Sequence, residues 1–307
     1  FTYEVAETWF EVAPPADVSL ALDPQDLSSD PGAPGQTYVL ARSRAVRDPA
    51  GDEAGWALHV HDAGGGYVGL RPLADKLGPA TRIDVGFDRT VHVLGRLRLT
   101  AGAPWGVLRL APDGSIVGEF PLAVAGTPSD IAVAPDGRVY VSMLSVTGGP
   151  DEMTIYSAEG TLLDRIVPPE RGADNRFSYD LFHLDIDADG VVYVISVAIR
   201  PCPPAVNPPN PPRLPTPTPR PSMLGAGGPA PDQAEPTPDF PCSKEVVLVF
   251  EPDSRFREEV PNPHTTDIAV GASGVFVSTS TPWRRPSQKI YRLAAESPAF
   301  QFPVPER

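Results

Sequence analysis

Apolar and polar residues alternate in short runs along most of the chain. Five of these runs align: DVSLALDP from Asp17, RIDVGFDR from Arg82, DIAVAPDG from Asp130, HLDIDADG from His183 and DIAVGASG from Asp267. Most are followed by a turn with Gly or Asp and then by a second apolar run, such as TVHVLG, RVYVSM or VVYVIS. This pattern predicts a β-hairpin in each repeat.

A second hairpin follows within each repeat, as in ALHVHDAGGGYVGL, GVLRLAPDGSIVGEF and TIYSAEGTLLDRI. In the last repeat the segment AFQFPV is expected to be the fourth strand. Four antiparallel strands that recur at roughly 40 to 50 residues are typical of a propeller blade. We therefore predict an all-β propeller over residues 17–307 with about five four-stranded blades, or six if the poorly matching first repeat conceals one.

A proline-rich insertion interrupts the fourth repeat over residues 201–242 and contains the run PTPTPRP. Such a segment cannot pair as a central strand or form a helix, so we expect an extended loop between the second and third strands of that blade. Cys202 and Cys242 stand at its two edges. We predict a disulfide across the neck of the loop, which implies an oxidising compartment; two separate buried thiols are the alternative.

The N-terminal residues 1–16 have no blade of their own, although they alternate like a strand. They carry four aromatic side chains, Phe1, Tyr3, Trp9 and Phe10. This arm is expected to close the ring by joining the last blade, to lie along an outer edge, or to pair with an edge of another copy.

The composition limits the classes of partner that the protein is expected to bind. A formal net charge of -14 argues against nucleic acid, which requires a clustered basic face. No apolar run approaches the ~20 residues of a membrane-spanning helix. The chain begins at Phe1 with no charged-then-apolar leader, as expected if a signal peptide had been removed, so we expect a secreted or cell-surface protein.

The best repeats, DIAVAPDGRVYVSM from Asp130 and DIAVGASGVFVSTS from Asp267, resemble the blades of NHL-type and related five- or six-bladed propellers. This broad group includes binding modules, extracellular scaffolds and metal-dependent lactonases. The resemblance implies that lactonase-like members hold a cation with a glutamate, an asparagine and an aspartate around the central channel. None of the four asparagines lies at the start of a predicted inner strand: Asn175, Asn207, Asn210 and Asn262.

Since the first strand of each propeller blade lines the channel, the aligned residues at its mouth are expected to converge. These candidates for binding a cation or a small polar ligand are Asp17, Arg82, Asp130, His183 and Asp267. The alternative is structural, with each aspartate accepting hydrogen bonds from nearby backbone amides.

Other candidates are weaker. Asp185 and Asp187 would share one side of a strand and could hold calcium between blades, although Ser196 stands where a calcium loop needs its glutamate. His59 and His61 would share a strand face, which suits a metal, but an exposed face is the simpler interpretation. Thr216, Thr218 and Thr237 lie near prolines, as in O-glycosylated stalks.

No catalytic motif is present: no nucleophile elbow, no H-E-x-x-H pair and no phosphate loop. We therefore expect a non-enzymatic structural or interaction protein without a cofactor, calcium being the alternative. It would self-associate, into an oligomer or filament, through its N-terminal arm and proline-rich loop. The other hypotheses are a metal-dependent hydrolase of the lactonase type and a monomeric module that binds a cell-surface polymer or protein.

Overall fold

A computed structural model gives the architecture. It describes residues 23–29, 35–43, 46, 55–63, 66–98, 100, 102–123, 126–146, 151–168, 178–199, 243–261, 265–271, 274–279 and 289–293. All regular elements in these ranges are β-strands, which confirms the predicted all-β class. The described residues contain no helix that is long and apolar enough to cross a membrane.

The strands form five antiparallel sheets in which strands adjacent in sequence are also adjacent in space. Blade 1 contains β1 (Asp23–Ser29), β2 (Thr37–Ser43), β3 (Gly55–His61) and β4 (Tyr67–Pro72). Blade 2 contains β5 (Leu77–Val85), β6 (Val91–Leu97), β7 (Trp105–Leu110) and β8 (Ile116–Pro121). Blade 3 contains β9 (Thr127–Val133), β10 (Val139–Leu144), β11 (Glu152–Tyr156) and β12 (Leu162–Ile166).

Blade 4 contains β13 (Ser178–Ile186), β14 (Val192–Ile199), β15 (Ser243–Phe250) and β16 (Phe256–Pro261). The fifth sheet contains β17 (Thr265–Gly271), β18 (Gly274–Thr279) and β19 (Lys289–Leu293). The described residues thus contain four complete blades and a sheet of three strands, not the five or six four-stranded blades predicted. The segment AFQFPV, predicted as the missing strand, lies outside the described residues.

The sheets are arranged radially, as in a propeller. The first strands contact one another in the order β1, β5, β9, β13 and β17, which places them around a common axis. The faces of successive blades pack on each other through separate apolar clusters. Leu40 and Leu108 belong to the cluster between blades 1 and 2, Leu94 and Ile131 to the next, and Tyr140 to the one between blades 3 and 4. The predicted propeller is therefore confirmed.

Burial explains the composition of the strands. The second strand of blade 2, VHVLGRL, is buried almost throughout because it has a neighbouring blade on both faces. The fourth strand, IVGEFP, exposes Ile116 and Val117 at the rim. The second and third strands therefore carry the strongest hydrophobic signal in each repeat.

The two ends of the propeller differ. In blades 2 to 4 the first and third turns are tight and lie at one end, here called the turn end, where a glycine such as Gly137 or Gly190 adopts a positive φ. The second and third strands of each blade are joined at the opposite end, here called the loop end, which also carries the connections between blades. Ile199 pairs with Ser243, so residues 200–242 leave and return at the loop end of blade 4.

The first blade corrects the sequence prediction. Its inner strand is β1 (Asp23–Ser29), DPQDLSS, which begins where the predicted strand from Asp17 was expected to end. This strand has almost no apolar alternation, since Leu27 is exposed and its neighbours are polar. The hydrophobic pattern therefore misplaced it.

Several predictions concern residues outside the described ranges. These are the N-terminal arm with Phe1, Tyr3, Trp9 and Phe10, the channel candidate Asp17, the insertion 201–242 with Cys202 and Cys242, and the threonines Thr216, Thr218 and Thr237. The arm, the disulfide and the glycosylation remain predictions.

Candidate functional site

Every inner strand carries the same irregularity. One residue is skipped in its pairing with the second strand, and the residue after the skip occupies an equivalent position in each blade. These equivalent residues are Asp26, Arg82, Asp130, His183 and Asp267. Four of them are channel candidates from the sequence, and Asp26 takes the place that was assigned to Asp17.

The structure brings three of these candidates together. Asp130 lies between the other two, with its Oδ1 3.4 Å from Arg82 Nε and its Oδ2 3.4 Å from His183 Nδ1. Asp130 is buried, whereas Arg82 and His183 are partly exposed. The cluster thus joins three successive blades. For Asp267 only the backbone, in β17, is described.

The sequence pattern predicts these residues at the mouth of the channel. They lie instead in the middle of their strands. Arg82 is preceded in β5 by residues from Leu77 onward, and Leu77 already pairs with Leu97. In the same way, β13 begins at Ser178, well before His183. The aligned motif starts late in each strand because the preceding residues pair without a recognisable apolar pattern.

Asp130 is also bound to backbone. Its Oδ1 accepts a hydrogen bond from Ile131 N at 2.9 Å, and its Oδ2 accepts one from Leu184 N of the next blade at 2.9 Å. An inner strand is the edge of its sheet, so amides on its free side have no ladder partner. The carboxylate of Asp130 satisfies one such amide across the gap between blades 3 and 4.

The same contact recurs in the preceding blades. Asp26 Oδ2 accepts from Ile83 N at 2.8 Å, joining blade 1 to blade 2. Asp84 Oδ2 accepts from Val133 N at 2.7 Å, joining blade 2 to blade 3. We call Asp26, Asp84 and Asp130, with these amides, the interblade clasps. They show that three inner-strand carboxylates hold neighbouring blades together.

Asp84 accepts two hydrogen bonds besides the one that joins the blades. Its Oδ1 also accepts from Ser28 Oγ at 3.0 Å and from Val85 N at 2.8 Å. Burial raises the pKa of Asp84 to about 7, and the Asp130 carboxyl also raises it, although the three hydrogen bonds favour the charged form. The ionised Asp84 carboxylate is therefore stable in this network only while the three hydrogen-bond donors remain in position.

A fourth carboxylate acts similarly from a loop. Asp151, which precedes β11, accepts from Ser145 N at 2.7 Å and from Leu181 N of blade 4 at 2.9 Å. Ser129, the skipped residue of β9, donates to Leu181 O at 2.8 Å. Both polar groups of the Leu181 backbone are thus bound by blade 3.

Both calcium candidates accept hydrogen bonds within their own hairpin. Asp185 lies in β13 and accepts from Ile186 N at 2.7 Å. Asp187 lies after the strand, where its Oδ1 accepts from Asp189 N and Val191 N and its Oδ2 from Tyr193 Oη. Asp187 therefore stabilises the hairpin turn. Among the described residues, no three His, Cys, Asp or Glu side chains are grouped to hold a metal ion.

His59 and His61 are not on an exposed face, in contrast to the simpler sequence interpretation. They are 1% and 4% exposed, and Tyr67 covers both, with ring centroids 6.1 Å and 5.6 Å away. Burial, with His61 beside it, lowers the pKa of His59. All residues of β3 except Trp56 are buried, so both faces of this strand are covered, which the alternation in β3 alone cannot reveal.

Sequence reasoning did not identify Asp26, Asp84 or Asp151 as contacts between blades. The sequence does contain a signal for Asp84, which stands between apolar residues in RIDV. A carboxylate buried there without a hydrogen-bond partner would destabilise the fold, so a partner is expected. No comparable signal marks Asp26, in a strand without apolar periodicity, or Asp151, in a loop.

No family model and no curated protein matches the sequence. Among solved structures, a protein of unknown function from Bacteroides caccae is 9% identical over 86% of this chain and 73% of that chain, with a TM-score of 0.46. A gluconolactonase from Xanthomonas campestris is 17% identical over 84% and 69% of the two chains, with a TM-score of 0.44.

The β-propeller domain of the Trilobed protease from Pyrococcus furiosus, which has an open velcro topology, is 7% identical over 91% and 70%, with a TM-score of 0.44. At these values the similarities assign neither an activity nor a substrate to this chain.

Proposed function

We propose that this chain is a non-catalytic propeller scaffold that associates with further copies of itself through its N-terminal arm and its loop end, outside the cell. The observation that supports it best is the use of the inner-strand carboxylates. Asp26, Asp84 and Asp130 are bound to backbone amides of the next blade, so the residues at the channel serve the fold.

The loop end supports the second half of the proposal. The longest connection of the chain, residues 200–242, leaves from the paired positions Ile199 and Ser243 at this end. At the turn end, by contrast, the strands are joined by tight turns closed by backbone hydrogen bonds such as Gly137 N to Ala134 O. A long polar and proline-rich connection that leaves from one end of the propeller is a suitable contact surface.

The test is the mass of the protein in solution, measured by light scattering over a range of concentrations. We expect species larger than the monomer for the full chain. Deletion of residues 203–241, which keeps both cysteines, or of residues 1–12, should shift them to monomer. A turn-end variant, Glu159→Lys, is the matched control and should behave like the full chain. A full chain that is monomeric at every concentration would contradict the proposal.

A second candidate is a ligand-binding or hydrolytic channel of the lactonase type. The observation that favours it is the charged cluster of Arg82, Asp130 and His183, two of which are partly exposed. It predicts a stoichiometric divalent ion, calcium in the first place, in the purified protein and lactone hydrolysis that the His183→Gln change abolishes. Neither result is expected for the scaffold.

A further inference from the structure

An arginine and a tryptophan are paired between the second and third strands at the loop end of blade 1, and again at the equivalent position of blade 2. The two pairs are Arg42 with Trp56 and Arg96 with Trp105. Blade 4 has Val197 paired with Glu245 at this position. The fold of a blade therefore does not require an arginine and a tryptophan here.

Arg96 is exposed, and its guanidinium group lies over the Trp105 ring, with Cζ 4.5 Å from the ring centroid. No carboxylate among the described residues forms an ion pair with it. A guanidinium group that rests on an aromatic ring loses less freedom on binding and still presents its N–H groups to a carboxylate. Arg96 is therefore prepared to bind a carboxylate that approaches the loop end.

The surroundings of Arg96 are also basic. A Cβ on Gly78, at the start of β5, would stand 3.3 Å from Cβ of Arg96 and 3.6 Å from Nε of Arg98, so the two arginines flank this residue. Nearby, Nζ of Lys76 lies 2.9 Å from a carboxylate oxygen of Asp75. On a chain with a net charge of -14, this end of blades 1 and 2 is locally positive. We define the loop-end patch as Arg42, Trp56, Arg96, Arg98 and Trp105.

The N-terminal part of the chain has the complementary charge. Residues 1–22 contain four carboxylates and no lysine or arginine. The carboxylates belong to Glu4, Glu7, Glu11 and Asp17. Asp23, the first residue of β1, pairs with Arg42, so this segment joins the propeller beside the loop-end patch. Opposite charge and a shared end of the molecule both favour contact between the arm and the patch.

We propose that the N-terminal arm of one copy binds the loop-end patch of a second copy, with its glutamates on Arg96 and its aromatic side chains beside the two partly buried tryptophans. This inference rests on the proposed self-association and names the surface that receives the arm. Because arm and patch share one end, two copies that face each other with their loop ends can exchange arms reciprocally. Pro14 and Pro15 favour an extended backbone over a tight reversal onto the same copy.

The test exchanges the charges of arm and patch in the full chain and measures self-association by sedimentation equilibrium. The patch variant carries Arg96→Glu and Arg98→Glu, and the arm variant carries Glu4→Arg, Glu7→Arg and Glu11→Arg. Each variant alone should associate at least about tenfold more weakly than the parent, because like charges then meet. An equal mixture of the two should associate again, since each arm now meets a patch of opposite charge on the other protein. Arg255→Glu, at the exposed turn end, is the matched control and should associate like the parent.

Circular dichroism of each variant verifies that it is folded. Undiminished association of both variants would overturn the arm site, and it would leave the proposed scaffold function standing because the parent still associates. Two weakly associating variants that do not recover on mixing would overturn the exchange of arms between copies. A parent chain that is monomeric at every concentration would contradict the proposed function itself, so the two failures are distinguishable.

Discussion

The inner and outer strands of the blades both have backbone amides on a free edge, but different groups bind these amides. Both are sheet edges with amides that no ladder partner satisfies. Along the inner strands, carboxylates of one blade accept from amides of the next, as Asp130 does from Leu184 N. Along the outer strands the edge faces solvent, and Ile116 and Val117 are 44% and 51% exposed. The centre therefore joins successive blades through directed hydrogen bonds, and we expect the rim to tolerate substitution.

The largest expected effect is the loss of a clasp. Asp130→Ala leaves the amides of Ile131 and Leu184 without their acceptor and Arg82 without its counter-charge. We expect the free energy of unfolding to fall by about 3 to 5 kcal/mol. Asp164→Ala on the outer strand β12, where the exposed carboxylate accepts from the amide of Arg165, is the control and should change the free energy of unfolding by less than about 0.5 kcal/mol. Urea denaturation of both variants measures the difference, and equal losses would contradict it.

A smaller effect is the pH dependence of stability that His92 causes in β6, the strand next to the inner strand of blade 2. Burial, with Arg109 nearby, lowers the pKa of His92 in β6 to about 4. Between pH 6.5 and 4 the unfolded chain binds a proton that the folded chain does not, so this residue makes stability fall as pH falls. Over this pH range the free energy of unfolding loses about 3 kcal/mol through His92. His92→Gln should remove it, so parent and variant should converge in stability on acidification; a constant gap would contradict this.

The third effect tests a contact between rims of neighbouring blades. Gly160, in the turn after β11, has a φ of +90°, and a Cβ there would collide with Phe120 of β8. Gly160→Ala should cost about 2 kcal/mol or more, from backbone strain and collision. Gly137→Ala has a similar φ of +82° but would meet only Ala158 at 3.7 Å, so about 1 kcal/mol is expected. Thermal unfolding of both variants should rank them in this order, and the reverse order would show that Phe120 moves aside freely.

The smallest effect is expected at the exposed rim. Val117→Thr keeps the β-branched shape on an edge strand and replaces one exposed methyl group with a hydroxyl group. The free energy of unfolding should change by less than about 0.5 kcal/mol, as measured by urea denaturation. A loss above 1 kcal/mol would mean that this edge is covered, contrary to its exposure.

Sequence reasoning predicted the parts of the fold that depend on local pattern. The hairpins around DIAVAPDG and HLDIDADG and their second strands lie where the alternation of apolar residues predicted them. It failed where the stabilising contact is between blades. The strand with Asp26 and Ser28 is held by Ile83 N, Asp84 and Val85 N of blade 2 rather than by apolar burial.

The site residues show the same limit. The repeat alignment placed Arg82, Asp130 and His183 at equivalent positions, and the structure brings them together around one carboxylate. It could not reveal that Asp130 also binds an amide in blade 4, or that His59 and His61 are covered. Both facts depend on residues of other strands and blades, and the apolar alternation within one strand carries no information about those residues.

The most direct test of the clasps is amide hydrogen exchange of the parent chain and of Asp130→Asn, resolved for single residues by NMR. In the variant, Arg82 and Ile131 N favour the amide oxygen at the position of Oδ1, so the amide NH2 group faces Leu184 N and that hydrogen bond is lost. We predict that exchange of Leu184 N accelerates at least tenfold, while Val133 N, which is bound by Asp84, changes much less. Equal protection of Leu184 N in the two proteins would contradict the claim that the inner carboxylates hold the blades together.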